Sequence, residues 1–118
     1  MSLSGTSLCG YGARTLEEDK YICTYCGFDG RAFDNWLQMT IDHVRPFSSN
    51  GEDIAENLVA CCKACNSFTS RMEFEGNLTA EEIIQKKKER VAERRKEFFQ
   101  FWSEHVSSSM EKHPGYKP

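Results

Sequence analysis

The 118-residue chain is expected to fold as a small α+β domain with a four-cysteine zinc site, followed by a long C-terminal helix. Three observations lead there. Two Cys-x2-Cys knuckles, Cys23/Cys26 and Cys62/Cys65, supply four thiolates, the usual set for a tetrahedral structural zinc ion. Between them, Leu37, Met39 and Ile41 alternate with polar residues, and Leu58 to Cys61 is a short apolar run, so two strands are expected. Beyond them, Thr79-Ala-Glu-Glu82 has the spacing of a capping box and opens a stretch free of Gly and Pro to Val106.

Taken in order, residues 1–20 read as an N-terminal arm: Gly and Ser dominate its start, and a helical turn near Leu16 leads into the first knuckle. Residues 21–75 form the metal-bearing domain. Gly27 closes the first knuckle, where a residue free to take positive φ is needed. Phe33, Trp36 and Leu37 are expected to add bulk to the core, and Trp36 to His43 to form the first strand, stopped by Pro46. Asn50-Gly51 is a turn signal within the loop to the second strand. A helix is expected from about Cys62 to Ser70, with Asn66 in its first turns. Residues 76–106 form a basic and aromatic helix with Ile84, Val91, Phe98 and Trp102 on one face, and 107–118 a flexible tail.

A core this small benefits from a structural metal. No run approaches the roughly 18 apolar residues of a membrane span. With no export signal and four of six cysteines in knuckles, a reducing, cytoplasmic compartment is expected rather than a disulfide framework. Cys9 and Cys61 are left as small hydrophobes, and His105 and His113 as surface residues. The formal net charge of −3 argues against a basic coat, but it is unevenly spread. Residues 86–96 hold seven basic side chains against Glu89 and Glu93, a local charge of +5. Lys86, Lys87, Lys88, Arg90, Arg94 and Arg95 are therefore candidate contacts to a DNA backbone.

The chemistry concentrates between Asp42 and Asn66. Asp42 and Asn66 offer hard oxygens to a second cation, and His43 titrates near neutral pH and can act as a general base. That set suits metal-assisted hydrolysis of a phosphodiester.

In their order, Cys-x2-Cys-Gly at 23–27, Asp-His-Val-x-Pro at 42–46, Glu-Asn-Leu-Val at 56–59 and Cys-x2-Cys-Asn at 62–66 resemble the HNH endonuclease family and its ββα-metal motif. The resemblance covers about Tyr21 to Ser70. It implies a DNA endonuclease, acting on double-stranded DNA, in which His43 activates water and Asn57 holds the strand-linking loop that aims it. It further implies that Asp42 and Asn66 bind a catalytic Mg²⁺ or another divalent ion such as Mn²⁺ or Ni²⁺, while Cys23, Cys26, Cys62 and Cys65 hold structural zinc. Many members carry Lys or His three residues after the last Asn; Thr69 stands there, with Arg71 near enough to substitute. The competing reading is a non-catalytic, zinc-ribbon-like module that binds nucleic acid or protein. A homodimer through Phe98, Phe99 and Trp102 of the last helix is a further expectation.

Overall fold

A computed structural model describes residues 8–10 and 12–117. It is a mixed helix-and-sheet fold built on a two-stranded antiparallel sheet, β1 (Met39–His43) and β2 (Leu58–Cys62). Met39 pairs with Cys62, Asp42 with Val59 and His43 with Leu58. This register brings the end of β1, where Asp42 and His43 lie, beside the start of β2, and sends the end of β2 toward the first knuckle. Chain order is α1 (Ala13–Glu18), α2 (Phe33–Trp36), β1, β2, α3 (Lys63–Thr69), α4 (Ala80–Phe101) and α5 (Ser107–Glu111). Strands β1 and β2 with α3 make the expected ββα unit.

Three boundaries and one core assignment differ from the sequence reading, each for a local reason. The segment read as an arm contains α1, whose Leu16 is fully buried in the main core with Tyr25, Met39, Ala60 and Val91. Its C-terminal end is tied to the sheet, since the Ala60 N–H donates to Asp19 Oδ2 at 2.7 Å. The first strand starts at Met39, not Trp36. Residues 33–36 make a single helical turn, held by Trp36 N–H to Ala32 O and by Asn35 Nδ2 to Asp29 O. Phe33 on that turn is 71% exposed and Leu37 is exposed, so they do not fill the core. Finally, the last helix does not stop at Val106. A π-helical segment, Trp102–Val106, passes into α5, so 107–111 is helical rather than tail.

The capping box at the start of α4 is present in both directions. Thr79 Oγ1 accepts from the Glu82 N–H and Glu82 Oε1 from the Thr79 N–H, each at 3.1 Å. Those bonds hold the Glu82 carboxyl below its ordinary pKa. The buried residues of α4 are Ile83, Lys87 and Val91, one per turn, a stripe too narrow to dock the helix by apolar area alone. Ile83 joins Val44 and Phe74 in a second apolar cluster, and Val91 enters the main one. Burying each is worth about 1.5–3 kcal/mol. Lys87, between them, is the exception that ties α4 to the site.

Candidate metal and catalytic site

The zinc site is built by two tight turns. At the first, Gly27 adopts φ +79°, its N–H donates to Cys23 O, and Cys23 N–H donates to Phe28 O, so Cys23 and Cys26 present their sulfurs to one side. At the second, Cys62 is the N-cap of α3 and its Sγ accepts from the Cys65 N–H. The Thr24 N–H bond to Ala60 O docks the first turn on β2. As a result the sulfurs of Cys23, Cys26, Cys62 and Cys65 all lie within 4.8 Å of one another, and Cys26 and Cys62 sulfurs are 3.8 Å apart. A tetrahedral ion with Zn–S of about 2.3 Å requires S···S near 3.8 Å, so the cluster fits zinc. The neighbouring thiols of Cys61, Cys62 and Cys65 favour the charged form of Cys23 and drive it strongly toward thiolate. That same contact with Cys23 pushes the Cys62 thiol up to about 11 and raises Cys65 further. Four sulfurs gathered in one largely buried place are a donor set that suits a soft divalent cation, which would hold them as thiolates. Cys61 is fully buried as expected, whereas Cys9 is exposed.

At the loop end of the hairpin, Asp42 and His43 point into different surroundings because neighbours on a strand face opposite sides. Asp42 Oδ2 accepts from the Tyr25 hydroxyl at 2.6 Å and from Lys87 Nζ at 2.7 Å. Lys87, 2% exposed, also donates to the His43 carbonyl at 3.0 Å and lies over the Tyr25 and Phe74 rings. Burial and the Asp42 charge push the Tyr25 hydroxyl well above its ordinary pKa, so it remains a donor. Lys87 is therefore an internal counter-ion to Asp42 and not a surface contact for DNA. A strand-like sequence signal placed Asp42 correctly at the strand end, but nothing in the sequence separates Lys87 from Lys86 and Lys88.

The imidazole of His43 is partly exposed, rests on the Phe47 ring at 4.7 Å, and has Nε2 2.9 Å from Asp53 Oδ1. Asp53 is a partner that sequence reasoning missed: it sits ten residues away in an irregular loop, and no spacing rule connects the two. Asn57 grips that loop. Its Nδ2 donates to the carbonyls of Arg45 and Glu52, and its Oδ1 accepts from the Arg45 N–H. Its carbonyl accepts from the Val44 N–H. Asn50 takes a left-handed φ of +66°, and Gly51 has no room for a Cβ, which would lie 1.7 Å from Arg45 O. Asn66 is on α3, half-buried, with no side-chain hydrogen bond among the described residues.

The basic residues of α4 do not form one stripe. Lys88 and Arg95 line a cavity beside Tyr25 and Cys26, whereas Arg90 and Arg94 face α3. Lys86 is exposed, and Arg94 is held by Glu97 at 2.6 Å over the Phe98 ring.

A two-stranded hairpin closed by a helix, with a four-cysteine cluster across its open end and an Asp-His pair at its loop end, has the ββα-metal arrangement. Residues 23–70, from the first cysteine of the cluster to the end of α3, match the family model described as HNH endonuclease. No curated protein and no solved structure matches the chain. The family match suggests a nuclease-type or nucleic-acid-related function. Helix α1 and helix α4, which brings Lys87, lie outside the matched residues. No helix among the described residues is long and apolar enough to cross a membrane.

Proposed function

We propose that the protein is a divalent-metal-dependent endonuclease that hydrolyses phosphodiester bonds of double-stranded DNA. The observation that carries this is the His43 imidazole, open to solvent on one side and held by Asp53 on the other. With Nε2–H donated to Asp53, Nδ1 keeps its lone pair for the proton of an attacking water. Protonation of the ring then converts the contact into an ion pair, which favours the proton transfer. The water oxygen bonds to phosphorus, the P–O bond to the leaving oxygen breaks, and solvent returns a proton to that oxygen.

Asp42 and Asn66 are the residues that would hold the catalytic ion. They fit it modestly: Asp42 has Oδ1 to offer while Oδ2 serves Tyr25 and Lys87, and Asn66 has a side-chain amide with no other partner among the described residues. When bound, such an ion (Mg²⁺, Mn²⁺ or Ni²⁺) supplies charge neutralisation at the phosphate oxygens and the leaving oxygen. Lys87 and Tyr25 fix the carboxylate's orientation, and Asn57 fixes the loop that carries Asp53. The four cysteines hold structural zinc and take no part in the chemistry. Lys86, Lys88, Arg90, Arg94 and Arg95 approach the DNA backbone, and a cytoplasmic setting keeps the thiols reduced. Phe98, Phe99, Phe101 and Trp102 are all exposed, which favours a second copy of the chain against the end of α4.

Incubation of supercoiled plasmid with zinc-loaded protein tests the reading. Nicked or linear product that requires added Mg²⁺, Mn²⁺ or Ni²⁺ supports it. DNA binding with no cleavage under any of the three ions returns the non-catalytic zinc module.

A further inference from the structure

The junction of α3 and α4 holds a cavity of about 320 Å³ whose lining includes Ser67, Ser70, Arg71, Arg90, Arg94 and Phe98. We propose that this cavity is a binding site for one phosphate group, that of the strand lying across the HNH domain, with Arg71 and Arg90 as its cationic walls. The ligand's identity rests on the nuclease reading; the site itself rests on charge and shape.

Three guanidinium groups converge on one concave space. Arg94 is answered by Glu97, whereas Arg71 and Arg90 have no acidic partner within ion-pair distance among the described residues. Like charges brought together by the fold repel, and an anion between them turns that repulsion into two attractions. Guanidinium suits phosphate because its planar N–H groups match a pair of phosphate oxygens. The Ser67 hydroxyl adds a donor, while the Ser70 hydroxyl is donated to the Ser67 carbonyl. Stacking of Phe68 on Phe98 at 5.6 Å and the seat of Arg94 over Phe98 at 5.0 Å hold the far wall in place. A lining of three guanidiniums and two hydroxyls against two phenyl rings favours an anion over an apolar ligand.

Position connects the cavity to the reaction. Ser67 directly follows Asn66, and Ser70 lies one helical turn beyond it on the same face of α3. A strand whose scissile phosphate sits at Asp42, His43 and Asn66 therefore has a neighbouring phosphate within reach of α3's C-terminal turn. Arg71 follows that turn, one residue beyond the matched segment, and Arg90 comes from α4, so the site requires the helix outside the matched residues.

The experiment compares the protein with its R71Q/R90Q variant, both zinc-loaded and with matching zinc content and circular dichroism. In one arm inorganic phosphate replaces chloride at equal ionic strength, and the melting temperature is read. In the other, binding to a duplex is titrated with salt on a His43→Ala background. The expected result is a phosphate-dependent rise in melting temperature that the variant loses. Duplex affinity falls about tenfold, and the log–log salt slope flattens by about 0.9, one phosphate's worth. A phosphate shift lost in the variant with an unchanged duplex slope supports the site and assigns it to free phosphate. An equal phosphate shift in both proteins together with an unchanged slope overturns the proposal. Hydrolysis of bis(p-nitrophenyl) phosphate, which has no neighbouring phosphate, separates the two readings. Its absence from the unmodified protein counts against the nuclease reading without touching the phosphate shift.

Discussion

Replacing Lys87 by Met tests whether α4 is part of the site or merely beside it. The substitution removes an ammonium that is 2% exposed and keeps the side-chain length. It leaves Asp42 Oδ2 with only the Tyr25 hydroxyl, and the His43 carbonyl without its donor. Removing one partner of a buried pair strands the other charge and costs about 3–5 kcal/mol. For a domain of this size each kcal/mol moves the melting temperature by roughly 4 °C, so Lys87→Met should melt about 12–20 °C lower. The double variant Lys87→Met/Asp42→Asn should regain much of that loss, because no buried charge is then left alone. Urea or thermal melts of the zinc-saturated proteins, analysed as a double-mutant cycle, measure the coupling. A melt within about 4 °C of the parent, with single variants that add, would show that no buried pair couples α4 to β1.

Other outcomes follow from the same contacts. Cys23→Ser or Cys65→Ser should lose zinc and fold together, since structural zinc contributes on the order of 10 kcal/mol, while Cys61→Ser should keep about one zinc per chain by metal analysis. Asn57→Ala removes three side-chain hydrogen bonds that hold the 44–57 loop and should cost about 2–3 kcal/mol in a urea melt, with cleavage falling further than stability explains. Asp53→Asn should lower cleavage about tenfold or more at unchanged melting temperature, because it weakens the anionic partner of His43 at a side chain that is mostly exposed; equal rates would remove Asp53 from the reaction.

Much of the ββα unit was legible because its signals are local. Cysteine spacing fixes where the knuckles turn, alternation marks the strand that ends in Asp42 and His43, and Thr79 and Glu82 satisfy one another's backbone three residues apart. What escaped depends on tertiary placement. Aromatic residues at 33–36 look like strand and core, yet Asp29 and Asn35 close a helical turn there and leave Phe33 in water. Lys87 is one of three consecutive lysines, and only the docking angle of α4 turns it inward to Asp42. The same rotation places Lys88 and Arg95 beside the first knuckle and Arg90 and Arg94 beside α3. Asp53 reaches His43 through a loop whose path depends on Asn57, Asn50 and Gly51 acting together, which no single spacing encodes.

The most direct measurement of the central claim is the single-turnover cleavage rate of a DNA duplex by the parent protein and by His43→Ala, with both shown to bind the duplex equally and to hold zinc. Loss of a general base predicts a fall of about 10²–10⁴-fold at unchanged affinity. Cleavage by His43→Ala within tenfold of the parent would contradict the assignment of His43 as the group that takes the proton from water.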